Sequence, residues 1–143
     1  MVRTKLFCLF IAASLLSNAQ MSLTWSDVQT TQFEIITNGE NAGLYKPKFQ
    51  KTIKPYENQE VVIAGFIVPM DIENNLYALS LNPFTSCFFC GNAGPNTVIE
   101  LSFTKKQGKF LVDQYVIIKG VFKLNRDDHN ELFFKITDAK IHG

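Results

Sequence analysis

Alternating apolar and polar side chains predict β structure over most of the chain after residue 60. Five segments rich in β-branched and aromatic residues are separated by turns that contain Asn, Gly, Lys or Asp. These segments are residues 61–69, 76–81, 97–103, 115–124 and 132–141. The pattern before them is weaker. There, Thr24 is suited to cap a short helix through Val28, and the alternative is that Trp25 plugs the barrel. A short strand is predicted at residues 33–36, and residues 44–53 are expected to lead into the sheet.

Two of the five predicted strands carry a central glycine. Gly65 interrupts residues 61–69, and Gly120 interrupts residues 115–124. The strands of a small barrel must coil sharply, and glycine permits this. Closure into a barrel also removes exposed sheet edges. We therefore expect an all-β fold, a small five-stranded barrel of the oligonucleotide/oligosaccharide-binding (OB) type, with a short N-terminal helical or irregular extension. An open meander or a sandwich is the alternative.

The N-terminus has the three regions of a secretory signal. Arg3 and Lys5 precede an apolar run at residues 6–16, and a small-x-small sequence ends at Ala19. The run is shorter than the roughly 20 apolar residues that span a bilayer. We predict a signal peptide cut after Ala19 and export to the periplasm or the exterior. A short membrane anchor or a buried helix is the alternative.

Removal of residues 1–19 leaves a single predicted OB-like β domain of residues 20–143. The whole chain has a formal net charge of +1, with 14 basic and 13 acidic residues. Loss of Arg3 and Lys5 leaves 12 basic residues and a net charge of −1. That balance gives no electrostatic reason to expect a nucleic acid or an anionic membrane as a partner.

The most distinctive chemical feature is the segment Cys87-Phe88-Phe89-Cys90-Gly91. Its two thiolates could bind one metal ion, zinc or Cu(I). Tetrahedral zinc needs four ligands, or three and a water molecule. The further ligands would come from His129, His142, a carboxylate or a second subunit. Either histidine could equally be an exposed surface residue.

Two other interpretations of Cys87 and Cys90 stay open. They could form a disulfide in a structural or protein-interaction module, although so short a loop removes little entropy from the unfolded chain. Phe84, Phe88 and Phe89 would then pack the loop or form a contact surface. A thiol–disulfide oxidoreductase is a minor alternative, because the glycines and proline that follow do not start a regular helix. We find no other catalytic motif.

Three stretches together resemble a family of uncharacterised exported bacterial proteins, a domain of unknown function with an OB-like fold. They are residues 43–49 (Gly-Leu-Tyr-Lys-Pro-Lys-Phe), residues 61–70 (Val-x-Ile-x-Gly-Phe-x-Val-Pro-Met) and Gly94-Pro95-Asn96. Some members are lipoproteins, and some are encoded beside transporter genes, including zinc-responsive ones. The resemblance implies a non-enzymatic binding or accessory protein in zinc handling, whose partner is a transporter or an envelope protein.

Overall fold

The computed structural model describes residues 19–84 and 93–143, and the following account concerns those residues. They form one α-helix, α1, and eight strands, β1 to β8. In chain order these are β1 Met21–Ser22, α1 Trp25–Gln29, β2 Gln32–Ile35, β3 Tyr45–Lys48, β4 Glu60–Asp71, β5 Leu76–Ser80, β6 Val98–Phe103, β7 Tyr115–Leu124 and β8 Phe134–Ile141. Short 3-10 helices occur at Lys54–Tyr56 and Pro95–Thr97.

Strands β4 to β8 close into a barrel. The order of hydrogen-bonded neighbours is β4-β5-β6-β8-β7, and β7 pairs back onto β4. Within this ring β6 and β8 are parallel, and the other pairs are antiparallel. The first half of β4 pairs with β7 and the second half with β5, and both pairings meet at Phe66. The predicted all-β class and five-stranded OB-type barrel are confirmed.

The two strand glycines lie where neighbouring strands come closest. A Cβ at Gly65 would lie 2.7 Å from the Ser80 carbonyl oxygen, and a Cβ at Gly120 would lie 2.5 Å from Ile136 Cγ2. The β7–β8 register also shifts between Lys119 and Val121. The strands can therefore bend and pass each other only because these two positions have no side chain.

Alternate residues of the five barrel strands point inward and form the core. They are almost entirely aliphatic or aromatic, as the period of two predicts. The fully buried ones include Val61, Tyr77, Leu79, Ile99, Leu101, Ile118, Phe122, Phe134 and Ile136.

The N-terminal extension closes the barrel surface beside β4. Thr24 caps α1 as predicted: its Oγ1 accepts a hydrogen bond from the Asp27 N–H at 3.2 Å. Trp25 Nε1 donates to the Ala64 carbonyl at 2.7 Å, and its ring packs on Gly65. Strand β1, which the sequence did not predict, pairs in parallel with the start of β4. β5 pairs only with the second half of this edge of β4, and β1 pairs with the residues at its start.

Strand direction defines two ends of the barrel. The lower end carries the connections of residues 49–59, 81–97 and 125–133, and the upper end carries residues 72–75, 104–114 and 142–143. The β2–β3 hairpin lies at the lower end, where Phe33 packs on Phe133 with ring centroids 5.2 Å apart. Within the described ranges, no helix has the length and hydropathy to cross a membrane.

Candidate functional site

The cysteine segment falls outside the part of the chain that the structure describes. Residues 85–92 contain Cys87, Phe88, Phe89, Cys90 and Gly91. The metal, disulfide and redox interpretations of these cysteines therefore stay predictions. What the structure does give is the position of the residues on either side.

Both flanks of residues 85–92 are held by hydrogen bonds to other parts of the fold. The Phe84 N–H donates to Asp113 Oδ1 at 2.7 Å, just before β7. On the other side, Thr97 Oγ1 donates to the Gly94 carbonyl at 2.6 Å. The Asn96 side chain donates to the Thr31 carbonyl at 3.3 Å, beyond the end of α1. The residues on both sides of the cysteine segment are thus attached to the rest of the fold.

Phe84 lies at the surface, with 51% of its area exposed. It borders a cleft of about 230 Å³ that is lined mainly by apolar residues: Ile67, Val68, Pro69, Phe84, Phe110, Leu111, Val112 and Asp113. Of the three phenylalanines predicted as a partner surface, this is the one within the described residues. Its position is compatible with either a packing or a contact role.

His129 lies in a second cleft, of about 190 Å³, at the lower end of the barrel. Three separate segments line it: the start of β3, the residue Pro95 that follows the cysteine segment, and the β7–β8 connection. The lining residues are Leu44, Tyr45, Pro95, His129, Glu131, Leu132 and Phe133. His129, an exposed residue, therefore lines the same cleft as Pro95, which follows the cysteine segment.

Asn125 organises the turn that carries His129. Its Oδ1 accepts hydrogen bonds from the N–H groups of Asp127 and Asp128, at 3.3 and 3.0 Å. Its Nδ2 donates to the carbonyls of Asp128 and Leu132, at 2.7 and 3.2 Å. Sequence reasoning missed Asn125, although an Asn that follows a strand and precedes Asp residues is a known turn signal.

A partly buried charge network lies beside the His129 cleft. Lys135 Nζ is 3.2 Å from Glu100 Oε1 and 2.7 Å from Glu131 Oε2, and the Leu132 N–H donates to Glu100 Oε2. Burial is the largest single influence on the pKa of Lys135 and lowers it. The hydrogen bonds and charges of both glutamates together outweigh burial, so the pKa is raised above its usual value. Glu131 thus forms an ion pair with Lys135.

The two histidines lie at opposite ends of the barrel. His129 precedes β8, whereas His142 follows it, and its N–H donates to the Ile117 carbonyl. A strand of eight residues spans about 26 Å. His129 and His142 cannot therefore bind one ion within a single chain. Among the described residues, no three His, Cys, Asp or Glu side chains are grouped to hold a metal.

Most outward residues of β5 and β6 are buried. In OB barrels this face, with the adjoining loops, is where oligonucleotides and oligosaccharides bind. Here the outward residues Ala78, Ser80, Val98 and Glu100 are between 0% and 7% exposed. This part of the face is therefore not an open binding surface.

The topology and the two clefts define this chain as an OB-type β barrel with an N-terminal extension. It is similar to the crystal structure of a DUF3299 family protein from Pseudomonas aeruginosa PAO1, with a TM-score of 0.54 and 16% sequence identity. The similarity covers 87% of this chain and 97% of that one. No protein-family model matches the chain, and no curated protein matches it. The shared fold agrees with the resemblance to an uncharacterised domain that the sequence motifs indicated.

Proposed function

We propose that this chain is a non-enzymatic, exported binding or accessory protein that holds a zinc ion through Cys87, Cys90 and His129. The observation that carries the proposal is that His129 and Pro95 line the same cleft. Pro95 follows Cys90 by five positions, a length of chain that reaches at most about 17 Å. This shared cleft supports His129 as the third ligand, in preference to His142 at the other end of the barrel.

Two thiolates and one imidazole form an incomplete tetrahedral set. Zinc sites with three protein ligands keep a fourth position for water or an incoming ligand. An open fourth position suits a protein that receives or hands on an ion, and a transporter or another envelope protein is the partner we propose.

A protein-interaction module with a Cys87–Cys90 disulfide is the second candidate. The apolar cleft beside Phe84 favours it, since a half-exposed aromatic ring on an apolar rim is a common contact feature. The oxidoreductase alternative gains no such support. The residues that follow the cysteine segment form a three-residue 3-10 helix, Pro95–Thr97, and not the longer helix whose N-terminus lowers a cysteine pKa.

Elemental analysis with thiol titration distinguishes the two candidates. The processed chain should be purified from its own compartment without a reducing agent. We expect about one zinc per chain, absent from a Cys87→Ser/Cys90→Ser variant. His129→Ala should weaken zinc binding roughly a hundredfold because a direct ligand is lost.

The matched control is His142→Ala, which should bind zinc as the parent does because His142 lies at the upper end. A chain with neither metal nor free thiols would overturn the zinc proposal and support the disulfide module. Zinc binding that is unchanged in His129→Ala but lost in the double cysteine variant would remove His129 from the site.

A further inference from the structure

The predicted signal peptide and the first strand of the fold are separated by a single residue. Cleavage after Ala19 would leave Gln20 at the N-terminus, and β1 begins at Met21. Ala19 and Gln20 are both exposed. The predicted cut therefore lies at the surface, directly before the first paired residue of the fold.

The fold holds the chain from Met21 onward. Strand β1 pairs in parallel with Val61 and Val62 of β4, and the Leu23 N–H donates to the Val62 carbonyl at 3.0 Å. The Met21 side chain packs against the barrel core, and Leu23 is 3% exposed within it. Gln20 is thus the exposed residue at the end of an attached segment.

An N-terminal glutamine carries both groups that a cyclisation needs. Its α-amino group has a pKa of about 7.7–8.0, so part of it is uncharged and nucleophilic near neutral pH. Its own side chain supplies an amide carbonyl carbon, Cδ, whose attack by the amine closes a five-membered ring. An intramolecular attack of this kind avoids the entropy cost of bringing two molecules together. Because Gln20 is exposed, its side chain has room to turn toward the amine.

We propose that Gln20 is converted to pyroglutamate once the signal peptide is removed, a step that rests on the export included in the proposed function. The α-amino nitrogen of Gln20 bonds to Cδ, and the bond between Cδ and Nε2 breaks. A proton of the α-amino group passes to Nε2, which leaves as ammonia. The product is a neutral lactam, and the reaction consumes no oxidant, reductant or second substrate.

The lactam would protect β1 from trimming. It removes the free amine from the N-terminus, and an aminopeptidase needs that amine to bind the end of a chain. With an open N-terminus, an aminopeptidase that removes Gln20 next meets Met21 and Ser22, which form β1. The residue after them, Leu23, is buried in the core. Trimming by a few residues would therefore remove the parallel pairing and then a core side chain.

The protected segment also leads directly into the contacts that attach the extension to the barrel. Thr24 caps α1, and the Trp25 indole N–H donates to the Ala64 carbonyl at 2.7 Å. The Trp25 ring packs on Gly65, in the middle of β4. A closed N-terminus therefore preserves the strand from which these contacts continue. The modification involves none of the proposed zinc ligands.

Mass spectrometry of the exported chain tests the proposal. The full-length chain is produced with its own leader in its own cell type and is purified from the compartment to which it is exported. We expect the mass of residues 20–143 less the mass of one ammonia molecule. Edman degradation of the same sample should release no residue. After digestion with a pyroglutamyl aminopeptidase, Edman degradation should begin at Met21.

Gln20→Asn is the matched control. It keeps a side-chain amide, but the same attack would have to close a strained four-membered ring. We expect its mass to show no loss of ammonia and its first Edman cycle to release asparagine. A broad-specificity aminopeptidase should shorten this variant and leave the parent unchanged. Because Gln20 is exposed, the variant should unfold at the same urea concentration as the parent.

Three results would overturn the proposal, and they differ in what they say about export. A chain that begins at Gln20 and releases glutamine in the first Edman cycle is exported but not cyclised. A chain that is cut at another bond, and so begins at another residue, is also exported but offers no glutamine for the reaction. A chain that keeps residues 1–19 would overturn the exported state in the proposed function together with the modification.

Discussion

Gly120 illustrates how one residue makes the barrel possible. A Cβ at this position would lie 2.5 Å from Ile136 Cγ2 and 2.6 Å from the Thr137 carbonyl oxygen. Neither neighbour can move freely, because the Ile136 side chain is fully buried and the Thr137 carbonyl is part of the β8 backbone. A glycine in a predicted strand was visible in the sequence, but its close neighbours were not.

Replacement of Gly120 by alanine should therefore destabilise the protein. We expect Gly120→Ala to lower the free energy of unfolding by about 1–3 kcal/mol, as overpacking of a core does. Urea denaturation measures this change. Gly108→Ala is the matched control, because nothing lies within 4 Å of the added Cβ. Its free energy of unfolding should change by less than about 0.5 kcal/mol. Equal stability of the two variants would contradict the close approach.

Residues that organise the candidate site were only partly visible in the sequence. Cys87, Cys90 and His129 attract attention by residue type alone. Asn125 does not, because its role depends on five side-chain hydrogen bonds that exist only once the β7–β8 connection has folded around it. Residue types that could carry chemistry can thus be recognised in the sequence. The hydrogen bonds that hold a functional side chain in place cannot.

At the scale of elements, an ion pair ties the β7–β8 connection to the segment that precedes β4. Arg126 Nη1 and Nη2 lie 2.6 and 2.8 Å from the two Glu57 carboxylate oxygens, so the contact is bidentate. The guanidinium also lies 5.4 Å from the centroid of the Phe49 ring. The connection that carries His129 is thus attached to the body of the barrel.

This pair should make a small contribution to stability that depends on pH. The hydrogen bond from Arg126 is the main reason why the pKa of Glu57 is lowered from its usual 4.5, and burial opposes it. A depressed folded-state pKa means that the contribution is present above pH 4.5 and is lost as the pH falls through the folded value. Glu57→Gln should cost less than about 1 kcal/mol at pH 7, because the pair is partly exposed.

Urea denaturation at pH 7 and at pH 3 measures this dependence. The difference between the parent and Glu57→Gln should shrink at the lower pH. Glu40→Gln serves as the control, since Glu40 is in no ion pair among the described residues. A difference for Glu57→Gln that grows on acidification would contradict the assigned direction of the pKa.

At the scale of the whole molecule, the N-terminal extension and the barrel are joined through shared contacts. Leu23 is 3% exposed and belongs to the same core as the barrel strands. Trp25, the single tryptophan, donates its indole N–H to Ala64 in the middle of β4. We therefore expect the extension and the barrel to unfold as one cooperative unit.

Two spectroscopic probes can check this cooperativity. Trp25 fluorescence reports on the docking of the extension, and far-ultraviolet circular dichroism reports mainly on the barrel strands. In urea, the two transitions of a chain that begins at Gln20 should have the same midpoint. A fluorescence transition at clearly lower urea would show that the extension detaches first, and that the shared core contributes little to its attachment.

The sequence alone determined the fold class and the position of the five barrel strands. Side-chain alternation and strand glycines are local signals, and the β7 bounds agree with the predicted residues 115–124. Only the tertiary structure decided the short β1 pairing, the separation of His129 from His142, and the burial of most outward residues of β5 and β6. These features depend on which distant segments become neighbours when the barrel closes, and no local pattern of residues encodes such contacts.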